Sequence, residues 1–190
     1  MASVIIKDVR IAFPVLFEPE QFKGEGAKRY SASFPVEPDS ENSKAIEAAM
    51  LEAAVAKWKD KGAAVLKDLI AKNKVCFVRG PKTKGSGETY DGFEGMFSLS
   101  TSRPEDQGPP KVLNRDGSPL AKGMGKPYSG CNVFAQFDIY AQDNSFGRRI
   151  NATLVKVQFF KDNDAFGGGT RPTDDALVPL DDGAGDDSIF

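Results

Sequence analysis

A mainly β fold with one helical insertion, built as a small barrel of short strands, is what this 190-residue sequence predicts. Three observations predict it. Apolar and polar residues alternate in several short stretches, the period of half-buried strands. One segment, about 40–73, has helical spacing instead, and glycine and proline punctuate the chain after it. The length suits a single domain with long loops, placed at 1–172, with an acidic tail at 173–190.

Val4 and Ile6, then Val9, Ile11 and Phe13, form an opening strand with an irregularity near Asp8, ended by Pro14. FEPEQFKGEGAKR follows as a polar loop, and Tyr30, Ala32, Phe34 and Val36 alternate as a second strand. Asp39 or Ser40 caps a helix reaching about Lys61, with Ile46, Met50, Ala53 or Ala54, and Trp58 along one face. Gly62 ends or kinks it, and a shorter helical pattern holds Val65, Leu66, Leu69 and Ile70. VCFVRG is then a strand, GPKTKGSGETYDGFEG a long basic loop, and FSLSTS the next strand. The proline-rich RPEDQGPP leads to a short KVLN strand that turns at RDGS. The strongest strand is CNVFAQFDIYA. Cys131, Val133, Ala135, Phe137, Ile139 and Ala141 make its apolar face, and Asn132, Phe134, Gln136, Asp138 and Tyr140 the other. QDNSFGRR connects it to INATLVKVQFF as a hairpin. An OB-like barrel accommodates this set, with the helix following two strands, earlier than its usual place between the third and fourth.

With 40% hydrophobic and 27% charged residues, the composition is that of an ordinary globular protein. No apolar run approaches the roughly 18 residues of a membrane span, and the N-terminal apolar patch is too short for a secretory segment. The expected location is the cytoplasm, that of a host cell if the gene is a phage's. Cys76 and Cys131 form no CxxC and read as buried thiols. The chain has no histidine, which excludes Ser-His-Asp and Cys-His catalysis, His-ligated zinc and a histidine pH switch. GPKTKGSG has Ser86 where a phosphate-binding loop needs lysine. DNDAFG begins like a calcium loop but has Phe166 and Thr173 at ligand positions. Glu88, Asp91 and Glu94 are the nearest approach to a nuclease carboxylate cluster and read as solubilising loop charges. The sequence therefore predicts a protein that is no enzyme and takes no cofactor or metal.

The net charge of -2 hides an asymmetry: residues 1–68 sum to -1, 69–161 to +6 and 162–190 to -7. Lys72, Lys74, Arg79, Lys82 and Lys84 fall in a stretch without acidic residues, and Phe77, Tyr90, Phe93 and Phe97 lie in or beside it. Cations that neutralise phosphates beside rings that stack on unpaired bases are what single-stranded nucleic acid requires. Phe134 and Tyr140 join the set because they sit on the polar face of an amphipathic strand. Tyr128, Arg148 and Arg149, flanking that strand and its hairpin, complete it. Taken alone, each of these rings reads first as a core or loop-covered residue, Phe77 and Phe97, which lie in strand patterns, above all; the pattern as a whole points to binding.

From Thr173 onward the chain has six aspartates, no cation, two glycines and a proline, a composition that cannot bury enough surface to order itself. It closes on Asp186, Asp187, Ile189 and Phe190, the pattern of a docking motif whose aromatic ring fills a pocket while a basic rim holds the carboxylates.

The opening VRIAFPVLFEP, the YSASFPV strand leading to a helix with Trp58, YSGCNVFAQFDIYA and INATLVKVQFFKDNDAFGGG cover most of residues 9–169. In that order and spacing they resemble a phage family of OB-fold single-stranded-DNA-binding proteins, long carried as a domain of unknown function. DDSIF is similar to the acidic tips of bacterial single-strand-binding proteins, whose terminal phenylalanine docks on replication and repair partners. The resemblance implies that role for Asp186, Asp187, Ile189 and Phe190. It also implies a non-enzymatic protein that coats single-stranded DNA in phage replication, recombination or repair. The body does not resemble the bacterial protein, so no tetramer is implied, and monomer and dimer both stay open. The rivals are a structural barrel or sandwich of a virion and a carboxylate-metal nuclease.

Overall fold

A computed structural model describes residues 1–168. The predicted tail, 173–190, lies outside the described residues. The strands are β1 (Ala2–Arg10), β2 (Ala12–Phe22), β3 (Glu25–Val36), β4 (Phe77–Val78), β5 (Phe97–Pro104), β6 (Lys111–Leu113), β7 (Asn132–Asn144) and β8 (Gly147–Lys161). Between β3 and β4 stand α1 (Glu41–Trp58) and α2 (Gly62–Ala71), joined by a 3-10 turn over Lys59–Lys61.

The main sheet runs β1-β7-β8-β5-β3-β2, with β5 and β8 parallel and its other neighbours antiparallel. Its two outermost strands are halves of one bent strand joined at Ile11. Ile11 donates its N–H to Cys131 O (3.1 Å) and accepts at its carbonyl from Gly130 N (2.8 Å). The sheet therefore curls until its ends share a chain. Hydrogen bonds do not close it, but the path is that of the five-stranded, partly open Greek-key barrel. Counted in barrel strands, the helix follows the second, as expected. The irregularity near Asp8 is present: the register shifts between Ile6 and Val9, and Asp8 has a φ of 52°.

Several boundaries differ from expectation. The polar segment 17–29 is paired backbone and not a loop, with Glu20 opposite Arg29 and Phe22 opposite Glu25. Both faces of this ribbon are largely in water, so pairing there demands no apolar alternation. Pro14 does not end the strand; it sits in the register shift between Ala12 and Val15, where a missing N–H costs no ladder bond. VCFVRG shortens to β4, and Val75 adds an isolated bridge to Ile150. Most of QDNSFGRR belongs to the strands, since Asn144 pairs with Gly147 and Ser145 and Phe146 alone make the turn.

The core lies inside the barrel and beneath α1. Ser40 caps this helix, its hydroxyl accepting from Ser43 N at 3.2 Å. Ile46, Ala49, Met50, Ala53 and Ala54 are its buried side, facing β1 and β7. Val133, Phe137 and Ile139 of β7 are fully buried with Phe34, Leu99 and Leu154. Each such side chain contributes about 1.5–3 kcal/mol by leaving water. The thiols of Cys76 and Cys131 are buried and free, and burial pushes their pKa up to about 12 and about 11.

Candidate nucleic-acid interface

Phe13 breaks the alternation of its strand. Its backbone is left-handed, with a φ of 51°, a conformation that costs a bulky residue about 1–3 kcal/mol. It leaves the side chain 44% exposed. The ring meets that of Tyr90 edge to face, centroids 4.9 Å apart at 75°. The Lys82 ammonium stands 5.5 Å from the Phe13 centroid and donates to Ser33 Oγ on β3 at 3.0 Å. Burial lowers the pKa of Lys82. Lys84 lies 5.9 Å from the Tyr90 ring and 3.6 Å from Glu88.

The 79–96 loop brings these groups to β2 because it folds on itself: Lys84 N donates to Glu88 O (2.7 Å) and Tyr90 N to Lys82 O (3.0 Å). Across the resulting cleft of about 240 Å³ stands Phe166. The Arg10 guanidinium lies 4.1 Å over its ring and donates to the carbonyls of Gly130, at 2.9 Å, and Asp164. Phe166 N donates to Ser129 O at 3.1 Å, and Gly167 N to Asp91 Oδ2 at 2.9 Å. A separate groove of about 250 Å³ lies on β2 and β3, lined among others by Val15, Glu20, Arg29 and Ser31. It ends at the β2–β3 hairpin, where Phe22 is 79% exposed and Lys23 lies 5.4 Å from its ring.

The residues singled out in the sequence do not form one site. Lys82, Lys84 and Tyr90 meet at the cleft. Phe77 and Phe93 are corrections: they are 2% and 0% exposed, packed in the interior with no ring face open to a base. Phe77 packs edge-on against Phe97 at 5.8 Å. Arg79 is engaged by Glu47 of α1 at 2.7 Å. The Tyr128 hydroxyl donates to Asp162 Oδ1 (2.8 Å) and accepts from Asn163 N (3.1 Å), so this residue anchors the segment after β8. Burial, then the Asp162 bond, raises its pKa.

Lys72, Lys74 and Arg148 line a different groove, of about 490 Å³, against α2. There Lys72 pairs with Asp68 at 2.8 Å, and Asp143 accepts from Arg148 Nε (3.2 Å) and Trp58 Nε1 (2.8 Å). The Trp58 bond, with Arg148 beside it, lowers the Asp143 pKa. Arg149 is exposed opposite Gln142. Phe134 and Tyr140 share the outer face of β7, six residues and about 20 Å apart along the strand, too far to serve one nucleotide. Sequence reasoning missed Arg10, Phe13, Phe22, Phe160 and Phe166. The doublet Phe159-Phe160 within an alternating strand was a usable signal, since one ring must face out.

A partly open barrel of this strand path, with rings and cations on its outer faces, is a protein of the oligonucleotide-binding-fold class. The chain matches, over residues 2–187, the family described as Enterobacter phage Enc34, ssDNA-binding protein, and it belongs to that family. It is 39% identical over 169 residues, 88% of each chain, to a protein designated p50 of Acyrthosiphon pisum secondary endosymbiont phage 1. Among solved structures, its fold is similar to the single-stranded DNA-binding protein from bacteriophage Enc34 in complex with ssDNA. The TM-score is 0.62 and the identity 23%, over 87% of this chain and 90% of that one. It is also similar to gp2.5, a single-stranded DNA binding protein encoded by bacteriophage T7, with a TM-score of 0.56 and 10% identity, over 90% and 98% of the two chains. No helix among the described residues is long and apolar enough to cross a membrane.

Proposed function

We propose that this protein binds single-stranded DNA without regard to base sequence during phage DNA replication, recombination or repair, by binding alone and not by catalysis. The observation that carries the reading is Phe13. A strained, outward ring against Tyr90 and beneath the Lys82 ammonium offers a base a stacking partner and its phosphate a cation. Bases would stack at this cleft and the strand would run along the β2–β3 face toward Phe22. Membership in a family named for ssDNA binding supports the reading, and nothing comparable supports a virion role. The remaining tail residues, Asp186, Asp187, Ile189 and Phe190, lie outside the described residues; their recruitment of replication or recombination proteins is part of the proposal.

Titration of a labelled oligonucleotide by anisotropy at several salt concentrations, with and without magnesium, tests it. Neutralising about four to six phosphates gives a log-log salt slope near -3 to -4, with the oligonucleotide intact throughout. Equal affinity for duplex or a flat salt dependence would overturn the single-strand reading, and cleavage in magnesium would make the protein a nuclease.

A further inference from the structure

We infer that the outer face of β7 and β8 is a second stacking surface for single-stranded DNA, separate from the Phe13 cleft. The inference rests on the single-strand reading and concerns where else on the barrel the strand goes. Phe134 of β7 and Phe160 of β8 meet at 5.1 Å, their planes 43° apart. Phe159 is 5% exposed and part of the core, so strand alternation turns Phe160 outward. The Arg115 guanidinium lies 5.1 Å and the Lys161 ammonium 5.5 Å from the Phe160 centroid. Two shallow grooves, about 290 and 240 Å³, meet on Phe134; the first also touches Ile5, Lys7, Gln136 and Lys156, the second Arg115 and Phe160.

Charge decides the occupant. Lys7, Arg115, Lys156 and Lys161 surround two half-open rings; the acids near them include Asp8, 3.5 Å from Lys161, Asp138, Asp116 of the turn after Arg115, and Asp162, which Tyr128 engages. The centre of a protein-protein interface is depleted of charge and larger in apolar area. Rings with cations lying directly over them, as Arg115 and Lys161 lie over Phe160, suit stacked bases and their phosphates.

The surface also adjoins the cleft. Phe160 and Phe166 stand at the two ends of a short strap, residues 161–165. Tyr128 holds it at Asp162 (2.8 Å), Asn132 accepts from Asn163 Nδ2 (2.8 Å), and Arg10 binds the Asp164 carbonyl. A strand leaving the Phe166 cleft crosses this strap to reach Phe160.

The test compares thymidine oligonucleotides of about 8 and about 30 nucleotides, the first within and the second well above the roughly 4–16 nucleotides one fold usually covers. In the full chain, Phe134→Ala with Phe160→Ala is expected to weaken long-strand binding about tenfold or more while leaving the short strand unchanged. Arg115→Glu with Lys156→Glu, both solvent-facing, is expected to do the same and decides the matter if the aromatic variant fails to fold. A Phe134→Trp reporter in a Trp58→Phe background is expected to be quenched by the long strand. Unchanged long-strand affinity in folded variants overturns the inference. So does a change in sedimentation without one in affinity, which makes the face a contact between copies of the chain. If the unsubstituted protein binds neither length, it is the single-strand reading itself that falls.

Discussion

A methyl group on Gly92 would lie 2.2 Å from the Phe166 ring. Gly92 also has a φ of 84°, so alanine there is strained twice, by backbone and by collision. Gly92→Ala is expected to lower stability by about 1–3 kcal/mol and to weaken DNA binding by unseating one wall of the cleft. Gly85, with open space around it, is the control: Gly85→Ala leaves the thermal midpoint and the affinity unaltered.

Phe13 sets stability against function. Phe13→Gly removes the left-handed strain, worth about 1–3 kcal/mol, while deleting a stacking ring worth about 1–3 kcal/mol of binding. Affinity is expected to fall while the midpoint holds or rises. Tyr90→Ala, outside the barrel core, should weaken binding by a similar amount with little change in midpoint. Chemical denaturation and anisotropy on the same preparations read both quantities, and a Phe13→Gly variant that binds normally removes this ring from the site.

For Phe77 and Phe93 the order reverses. Both are buried, so truncation to alanine is expected to cost about 3–5 kcal/mol of stability. Affinity per folded molecule, at a temperature where the variant is folded, should stay unchanged. A stable Phe93→Ala variant with weakened binding would return that ring to the interface.

The two thiols give a pH dependence with a definite sign. Burial raises Cys76 from 9.0 to about 12 and Cys131 from 9.0 to about 11. Above pH 9 the unfolded chain releases protons that the folded chain keeps, so stability falls as pH rises. Their contribution is complete below pH 9 and is lost progressively between pH 9 and about 12. Denaturant midpoints at pH 8 and pH 10 measure it, and Cys76→Ala with Cys131→Ala should flatten that part of the profile. At pH 8 neither native thiol should react with a thiol reagent faster than the protein opens.

How much could be read in advance depended on what fixed each residue. β7 and β8 were legible because one face is buried and the other is not, which writes a period of two into Val133, Ala135, Phe137 and Ile139. The distal β2–β3 ribbon was illegible for the opposite reason: Glu18 to Arg29 hang in water on both faces, and only backbone pairing makes them strand. Lys82, Lys84 and Tyr90 were legible as a run of cations beside a ring. Phe13 was not, because a backbone angle and no period turns it outward. Phe93 misled because proximity to lysines in sequence does not tell an inward ring from an outward one. Its burial follows from the tight turns in which Phe93 N donates to Tyr90 O and Met96 N to Phe93 O.

The bent first strand leaves β2 as an outer edge of the sheet, and that edge is poorly suited to recruiting another strand. Its pairing with β3 is interrupted three times between Ala12 and Phe22. It also carries Pro14 and Pro19 with Glu18 and Glu20 along the same stretch. Prolines, bulges and charge are how natural sheets deny a template to a neighbouring chain. For molecules ranged side by side on one polymer, at the high local concentration this enforces, neighbours can touch without zipping into a continuous sheet, so each copy stays free to leave.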